Sequence, residues 1–104
     1  MNNDISKKTY QFDEIAAMVK PLMEKYKVDE LYLFGSYARG EATGDSDLDF
    51  LVYGGDQFKG TTIFALGEEL RKLLNKNVDI YEIRKLDESS DFYRTVMKEK
   101  VPIT

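Results

Sequence analysis

The sequence predicts an α/β or α+β fold in which helices pack on a short β-sheet. Segments with apolar residues at three- and four-residue spacing, typical of amphipathic helices, alternate along the chain with short apolar runs typical of strands. The chain has 104 residues, 42% of them hydrophobic, which is enough for one core and leaves little room for a second. We therefore expect a single domain over residues 1–104.

The first half of the chain predicts a helix, a strand, a short turn and a second strand. Apolar spacing predicts an amphipathic helix over Phe12–Tyr26. We expect a kink or a break at Pro21, because proline lacks an amide hydrogen and crowds the preceding turn. The run ELYLFG is apolar on both faces and predicts a central strand, after which a helical turn and loop, SYARGEATGD, lead to the strand DLDFLVY.

The second half continues the alternation. GGDQFKG predicts a loop, TTIFALGEELRKLLN a second amphipathic helix whose apolar face includes Leu73, and NVDIYEI a third strand. After the polar stretch RKLDESS, the segment DFYRTVMKEK predicts a last helix that buries Phe92 and Val96. Ser90 or Ser89 is its expected N-cap.

Two residue types that carry much of enzyme chemistry are missing. The sequence contains no cysteine and no histidine, which excludes disulfides, thiolate nucleophiles, zinc sites built on these residues and Ser-His-Asp triads. Catalysis would therefore have to use carboxylates, hydroxyls, Lys or Arg, backbone amides or a bound hard metal. The lack of cysteine also suits a reducing compartment.

Charge and hydropathy narrow the class of partner. The net charge of −4 has the wrong sign for a protein that grips a nucleic-acid backbone, so we expect no direct nucleic-acid binding. No stretch approaches the roughly 18 apolar residues of a membrane span, and the start MNNDISKKTY lacks an apolar signal segment. We expect a cytoplasmic protein without a membrane contact.

Asp47 and Asp49 stand at the start of an otherwise apolar strand and allow three interpretations. They could be a solvated strand end. They could belong to a calcium-binding loop with Asp45, but such a loop needs glycine at its sixth position, where Phe50 stands, so we set this aside. We predict instead that Asp45 and Asp56 are turn residues.

The third interpretation is a magnesium site. Side chains at i and i+2 of a strand point to the same face, about 6.5–7 Å apart, so Asp47 and Asp49 can converge on one ion while Phe50 faces the core. Magnesium prefers one or two carboxylates and fills its remaining positions with water and phosphate oxygens. The pattern therefore predicts a phosphorylated ligand.

The neighbouring residues supply groups for such a ligand. Gly35-Ser36 follows the first strand where a helix would begin, so exposed amides and the serine hydroxyl suit the outer phosphates of a nucleotide. Arg39 could add a positive charge or simply anchor the turn. Asp79 interrupts the third strand, and it can join the acidic pair as a proton acceptor if that strand lies beside the second; otherwise it is an exposed strand-end residue.

The segment GSYARGEATGDSDLDF resembles the signature of the DNA polymerase β-like nucleotidyltransferase superfamily, in which Gly-Ser is followed after ten residues by Asp-x-Asp. Asp79 stands where that superfamily keeps its third carboxylate. The short length and the form GSYARGE are similar to the minimal nucleotidyltransferases, or MNT proteins, which consist of the catalytic core alone.

This resemblance implies a short mixed sheet flanked by helices, with Mg-ATP held between the Gly-Ser turn and the acidic strands. It assigns metal binding and catalysis to Asp47, Asp49 and Asp79, and nucleotide binding to Gly35, Ser36 and Arg39. It also implies an antitoxin that forms a hetero-oligomer with a HEPN-domain toxin and silences it by moving AMP from ATP to a tyrosine hydroxyl.

Two alternatives stay open at this point. The chain could act on a small molecule, although relatives that do so usually carry an added acceptor domain, or it could neutralise its partner by contact without turnover. Tyr37, Phe58 and Phe64 could form part of a docking face, and we expect most of them to lie in the core.

Overall fold

A computed structural model of the chain describes residues 6–55 and 58–103, so that Asp56, predicted to lie in a turn, falls outside the described residues. The helices and strands alternate as the sequence predicts. In chain order they are α1 (Phe12–Lys25), β1 (Glu30–Phe34), α2 (Gly35–Arg39), β2 (Leu48–Tyr53), α3 (Gly60–Leu74), β3 (Val78–Glu82), a 3-10 turn (Ile83–Lys85), α4 (Asp91–Glu99) and β4 (Val101–Pro102). Within the described residues no helix meets the length and apolarity that crossing a membrane requires.

The four strands form one mixed sheet in the order β3-β2-β1-β4. β1 is antiparallel to both β2 and β4, whereas β2 and β3 are parallel. The predictions of a short mixed sheet flanked by helices and of a central β1 are confirmed. β4 was not predicted, because two residues that include Pro102 are too short to show an alternating pattern.

The sheet has two faces of different character, which follow from the alternation of side chains along each strand. One face packs under α1 and α3 and forms the main core; we call it the closed face. Its sheet residues are Leu31, Leu33, Leu48, Phe50, Val52, Val78 and Ile80. The other face, which we call the open face, is covered only in part by α4. Its sheet residues are Tyr32, Phe34, Asp49, Leu51, Asp79 and Tyr81.

Two expectations about helices need correction. A break at Pro21 is wrong, because α1 runs without interruption from Phe12 to Lys25. Pro21 and Ala17 both lie on the exposed side of α1, where solvent is available to the Ala17 carbonyl that loses its helical partner. Leu73 was expected on the apolar face of α3 but is 41% exposed, since Leu70 and Leu74 already fill the contact with the sheet.

The last helix is capped as predicted and buries less than predicted. The Ser90 hydroxyl accepts a hydrogen bond from the Tyr93 amide at 3.0 Å, which confirms the N-cap. Val96 is buried against Phe34, but burial of Phe92 is wrong: its ring is 43% exposed. Phe92 lies in the first turn of α4, at the rim of the open face rather than above its centre.

Candidate active site

The candidate site begins with one row of residues across three strands. Phe34, Asp49 and Asp79 are register partners on β1, β2 and β3. Because β2 and β3 are parallel neighbours, about 4.8 Å apart, the two carboxylates start from adjacent positions on the open face. The structure therefore brings Asp79 beside Asp49, the arrangement on which its predicted role depends.

Asp47 adds a third carboxylate at the start of β2, two residues before Asp49. It lies one residue before β2, is exposed, and acts electrostatically on Asp49. The backbone is held in place here by the Leu48 amide, which donates to the Asn77 carbonyl at 3.0 Å and so joins the starts of β2 and β3. We call Asp47, Asp49 and Asp79 the acidic row.

The acidic row is electrostatically uncompensated. Partial burial, followed by the charges of Asp79 and Asp47, raises the pKa of Asp49 to about 6, and the Arg39 guanidinium only weakly opposes this shift. None of the three carboxylates has an ion pair or hydrogen bond with another described residue. Within the part of the chain that the structure describes, negative charge is thus brought together without an ion-paired cation.

Gly35 is required by the conformation of the backbone at this point. Its φ of +74° lies in the left-handed region, and a Cβ added to it would overlap Oδ2 of Asp49. The glycine therefore lets the β1–α2 turn lie directly against the Asp49 carboxylate. A larger residue would have to displace either the turn or the acid.

Ser36 follows in α2 and is half-buried. It is not the helix cap, because the N-cap position of α2 belongs to Phe34. Its hydroxyl has no hydrogen-bond partner within the described part of the chain, which leaves it available to a ligand. Its carbonyl accepts the Glu41 amide at 2.9 Å and thereby closes the turn.

Arg39 makes anchoring contacts. Its Nε donates to Glu41 at 2.9 Å and its Nη1 donates to Glu99 at 3.0 Å, so the guanidinium ties α2 to the end of α4. Of the two roles considered for Arg39, the structure shows the anchoring one. A contact with phosphate remains a prediction.

The carboxylate oxygens of the acidic row suit a hard divalent cation that takes its remaining ligands from water and phosphate. Among residues 6–55 and 58–103, no three acidic side chains are close enough together to hold a metal unaided. Magnesium does not need such a cage, because it completes its shell with water and phosphate oxygens. The all-oxygen donors and the raised pKa of Asp49 fit an ion that would relieve the repulsion.

Lys76 is a structural residue near the site that sequence reasoning missed. Its side chain is buried, and its Nζ donates to the Gly44 carbonyl at 2.7 Å and the Ser6 carbonyl at 2.8 Å. Burial lowers the pKa of this ammonium group. The contact fixes the loop that leads to Asp47, and a lysine in a polar turn gives no sequence signal for such a role.

The three aromatic residues considered for docking lie in different environments. Tyr37 is buried and Phe58 is half-buried, and both pack with the main core as expected. Phe64 is 70% exposed on α3, distant in the fold from the acidic row because α3 packs on the closed face. The three do not form one surface.

The sequence matches a known protein family and several of its relatives. Residues 17–104 match the family described as polymerase beta nucleotidyltransferase. The protein adenylyltransferase MntA of Thermococcus cleftensis is 38% identical over 87 residues, which are 84% of this chain and 86% of that protein.

Two solved structures show the same fold. A structure solved as a minimal nucleotidyltransferase superposes with a TM-score of 0.75 at 30% identity and covers 91% of this chain and 98% of its own. A complex of a tri-AMPylated Shewanella oneidensis HEPN toxin with an MNT antitoxin matches with a TM-score of 0.69 at 20% identity, covering 89% of this chain and 71% of the matched chain. At that identity the second match is evidence of fold alone.

Proposed function

The chain belongs to the polymerase beta nucleotidyltransferase family and is a nucleotidyltransferase, and from this premise we propose that it is an antitoxin that transfers AMP from ATP to a partner toxin. The acceptor in this proposal is a tyrosine hydroxyl of a HEPN-domain protein, and the reaction requires Mg²⁺. The two proteins form a hetero-oligomer in the cytoplasm, and neither nucleic acid nor a membrane takes part.

One observation carries the catalytic part of the proposal. Asp49 and Asp79 lie opposite each other on the open face, with Gly35 against the Asp49 carboxylate and no cation among the described residues paired with either acid. Partial burial and the neighbouring acids disfavour the ionised form of Asp49, so its charge at this position opposes folding. Retaining two uncompensated acids has a physical reason if the protein uses them to hold a divalent cation with a phosphorylated substrate.

Each site residue has a role in this scheme. Asp47 and Asp49 would hold Mg²⁺ together with the triphosphate, and the Ser36 hydroxyl, with the backbone after Gly35, would bind the outer phosphates. When bound, the ion would supply charge stabilisation at the α-phosphate and at the leaving pyrophosphate. Arg39 approaches the phosphates only if it exchanges a contact with Glu41 or Glu99.

Asp79 is assigned to the acceptor side of the reaction and also helps to bind a metal. It receives the proton of the acceptor hydroxyl as the hydroxyl oxygen bonds to the α-phosphorus. The bond from that phosphorus to the bridging oxygen of the β-phosphate breaks, and pyrophosphate leaves. The products are an AMP ester of the acceptor and pyrophosphate.

The partner is proposed from the relatives together with the character of this chain. A protein adenylyltransferase shares more than a third of its aligned residues with the chain, and an MNT antitoxin in complex with a HEPN toxin shares its fold. With a net charge of −4, the chain has little to attract a polynucleotide. A protein that presents its own hydroxyl is the better acceptor.

Intact-protein mass spectrometry of the co-expressed partner tests the proposal. The product of the neighbouring gene is the partner to be tested, and we compare the wild type with Asp47→Asn/Asp49→Asn. Asp45→Asn is the matched control, because Asp45 is an exposed acid of the same loop that pairs with Lys7 instead of joining the acidic row.

We expect a mass gain of one or more AMP units with the wild type and the control and none with the double variant. A partner that co-purifies unmodified with every form would contradict the transfer mechanism and favour inhibition by contact. Full transfer by the double variant would show that the acidic row is not the catalytic site.

A further inference from the structure

An aromatic cluster lies beside the acidic row on the open face. The centroid of the Phe34 ring lies 6.0 Å from that of Tyr81 and 6.0 Å from that of Phe92. The centroids of Tyr81 and Phe92 lie 5.3 Å apart. Phe34 is buried, whereas Tyr81 is 37% and Phe92 43% exposed. Phe34 is thus the buried member of the cluster, and Tyr81 and Phe92 are partly exposed to solvent. We call these two partly exposed rings half-open.

The cluster is continuous with the candidate active site. Phe34 is the register partner of Asp49, and Tyr81 follows Asp79 by two residues on the same side of β3, about 6.5–7 Å further along the strand. Burial and then the charges of Asp79 and Asp49 raise the pKa of the Tyr81 phenol. The ring is therefore within electrostatic reach of the acids.

The size of the exposed patch indicates what it can bind. A whole aromatic side chain buries about 150–250 Å², so Tyr81 and Phe92, residues that are 37% and 43% exposed, offer about 160 Å² together. A stable protein interface needs about 800 Å² from each partner. The other large exposed hydrophobic residues of the described chain, Phe64 and Leu73, lie on α3 and do not extend the patch. The exposed area of the two half-open rings is therefore that of a contact with one flat ring system, and it is too small for a protein interface by itself.

We propose that Tyr81 and Phe92 form the stacking platform for the nucleobase of the donor nucleoside triphosphate, an inference that rests on the function proposed above. Only the ribose lies between the α-phosphate and the base of a nucleotide. A nucleotide whose phosphates are bound at the acidic row therefore has its base close to that row. Among the described residues, Tyr81 and Phe92 are the two large hydrophobic residues of this face that are more than a third exposed, and Tyr81 lies on the same strand as Asp79. Aromatic stacking is tolerant of base identity, so the platform adds affinity more than it selects among purines.

Calorimetric titration with two ligands tests this inference. Mg-ATP and Mg-tripolyphosphate share the triphosphate, but only Mg-ATP carries a base. We compare the wild type with Tyr81→Leu, Phe92→Leu and the ring-retaining Tyr81→Phe. Phe64→Leu is the matched control, because it removes an exposed ring that lies away from the site.

We expect each leucine variant to bind Mg-ATP about tenfold more weakly than the wild type, with unchanged affinity for Mg-tripolyphosphate. Tyr81→Phe and Phe64→Leu should bind both ligands as the wild type does. Retained tripolyphosphate binding also shows that the variants are folded.

Unchanged Mg-ATP affinity in both leucine variants would overturn the inference, and a simultaneous loss of transfer to the partner would assign the rings to the acceptor protein instead. An equal loss for both ligands would overturn it as well, because the effect would then lie at the phosphates. Both results leave the proposed function standing. A wild type that binds neither ligand would overturn the proposed function and this inference together.

Discussion

On the closed face of the sheet, Leu48 and Phe50 are fully buried beneath α1 and α3, whereas Asp49, the residue between them, lies half-buried and unpaired on the open face. The same alternation of β2 therefore produces a dry apolar core on one side and a row of repelling acids on the other. Six of the closed-face sheet residues lie in the buried core. On the open face Phe34 and Leu51 are buried in a small cluster with Val96, and Tyr32 packs against that cluster.

The difference separates what folds the protein from what we assign to its chemistry. The closed face contributes stability through burial and close packing. The open face has the smaller buried cluster and includes Asp49, whose charge opposes folding. Substitutions on the closed face should therefore change the free energy of unfolding, and substitutions on the open face should change AMP transfer and nucleotide binding.

The largest expected effect is on catalysis at the open face. Asp79→Asn removes the group proposed to accept the proton and should lower the rate of AMP transfer about 1,000-fold. Its melting temperature should stay near that of the wild type, because Asp79 is exposed and has no partner among the described residues. Intact-mass time courses measure the rate, and a variant that keeps wild-type rates would remove Asp79 from the mechanism.

The largest effect on stability is expected at the closed face. Phe50→Ala removes a fully buried ring and should lower the free energy of unfolding by about 3–5 kcal/mol. Phe64→Ala, at a ring that is 70% exposed, should change it by less than about 0.5 kcal/mol. Urea denaturation compares the two, and similar losses would mean that the closed face is not the main source of stability.

An intermediate effect is expected where the loop before β2 is fixed. Lys76→Met leaves the Gly44 and Ser6 carbonyls without their donor and should lower the free energy of unfolding by about 2 kcal/mol. Hydrogen exchange in residues 40–47 of this variant should also become faster than in the wild type, and the increase should be larger there than in α3. Lys72→Met, at an exposed position of α3, is the control. Unchanged exchange in the loop would show that Lys76 does not position Asp47.

A smaller effect is expected at Ser36. Ser36→Ala should weaken Mg-ATP binding about fivefold, the loss of about one hydrogen bond, with little change in melting temperature. The serine is neither the cap of α2 nor bonded to another described side chain, so the fold does not depend on its hydroxyl. A large fall in melting temperature at unchanged ATP affinity would give Ser36 a purely structural role.

Much of the fold is predictable because its signals are local. Periodicity and turn residues locate every helix and strand except β4, although they do not show the 3-10 turn Ile83–Lys85. Two acids, Asp47 and Asp49, at the start of an otherwise apolar strand mark the position of the candidate site in the sequence itself. The opposition of Asp49 and Asp79 can be predicted only conditionally, since strand order is not a local property.

The features that sequence reasoning misses depend on tertiary surroundings. Phe92 has the spacing of a core residue, and only the packing of α4 leaves its ring at the rim. Lys76 is buried because two carbonyls from distant segments converge on it, which no sequence window contains. Arg39 could be given two roles from its position, and only the location of Glu99 shows which contact it makes.

The raised pKa of Asp49 on the open face predicts that the free energy of unfolding depends on pH. Its folded value of about 6 exceeds the ordinary value of 3.8, so the folded protein binds this proton more tightly than the unfolded chain. The resulting stability is fully present below about pH 4 and is lost as the pH rises through about 6. At pH 8, without metal, Asp49→Asn should therefore raise the free energy of unfolding by about 1 kcal/mol, a figure reduced for partial solvent screening. At pH 4 it should have no such effect.

The most direct test is to measure AMP transfer by Asp49→Asn in a preparation whose melting temperature at pH 8 is also recorded. We predict a protein that melts above the wild type and adds no AMP to its partner, because the same carboxylate opposes folding and holds the metal. A variant that melts below the wild type, or that still modifies the partner, would contradict the assignment of chemistry to the open face.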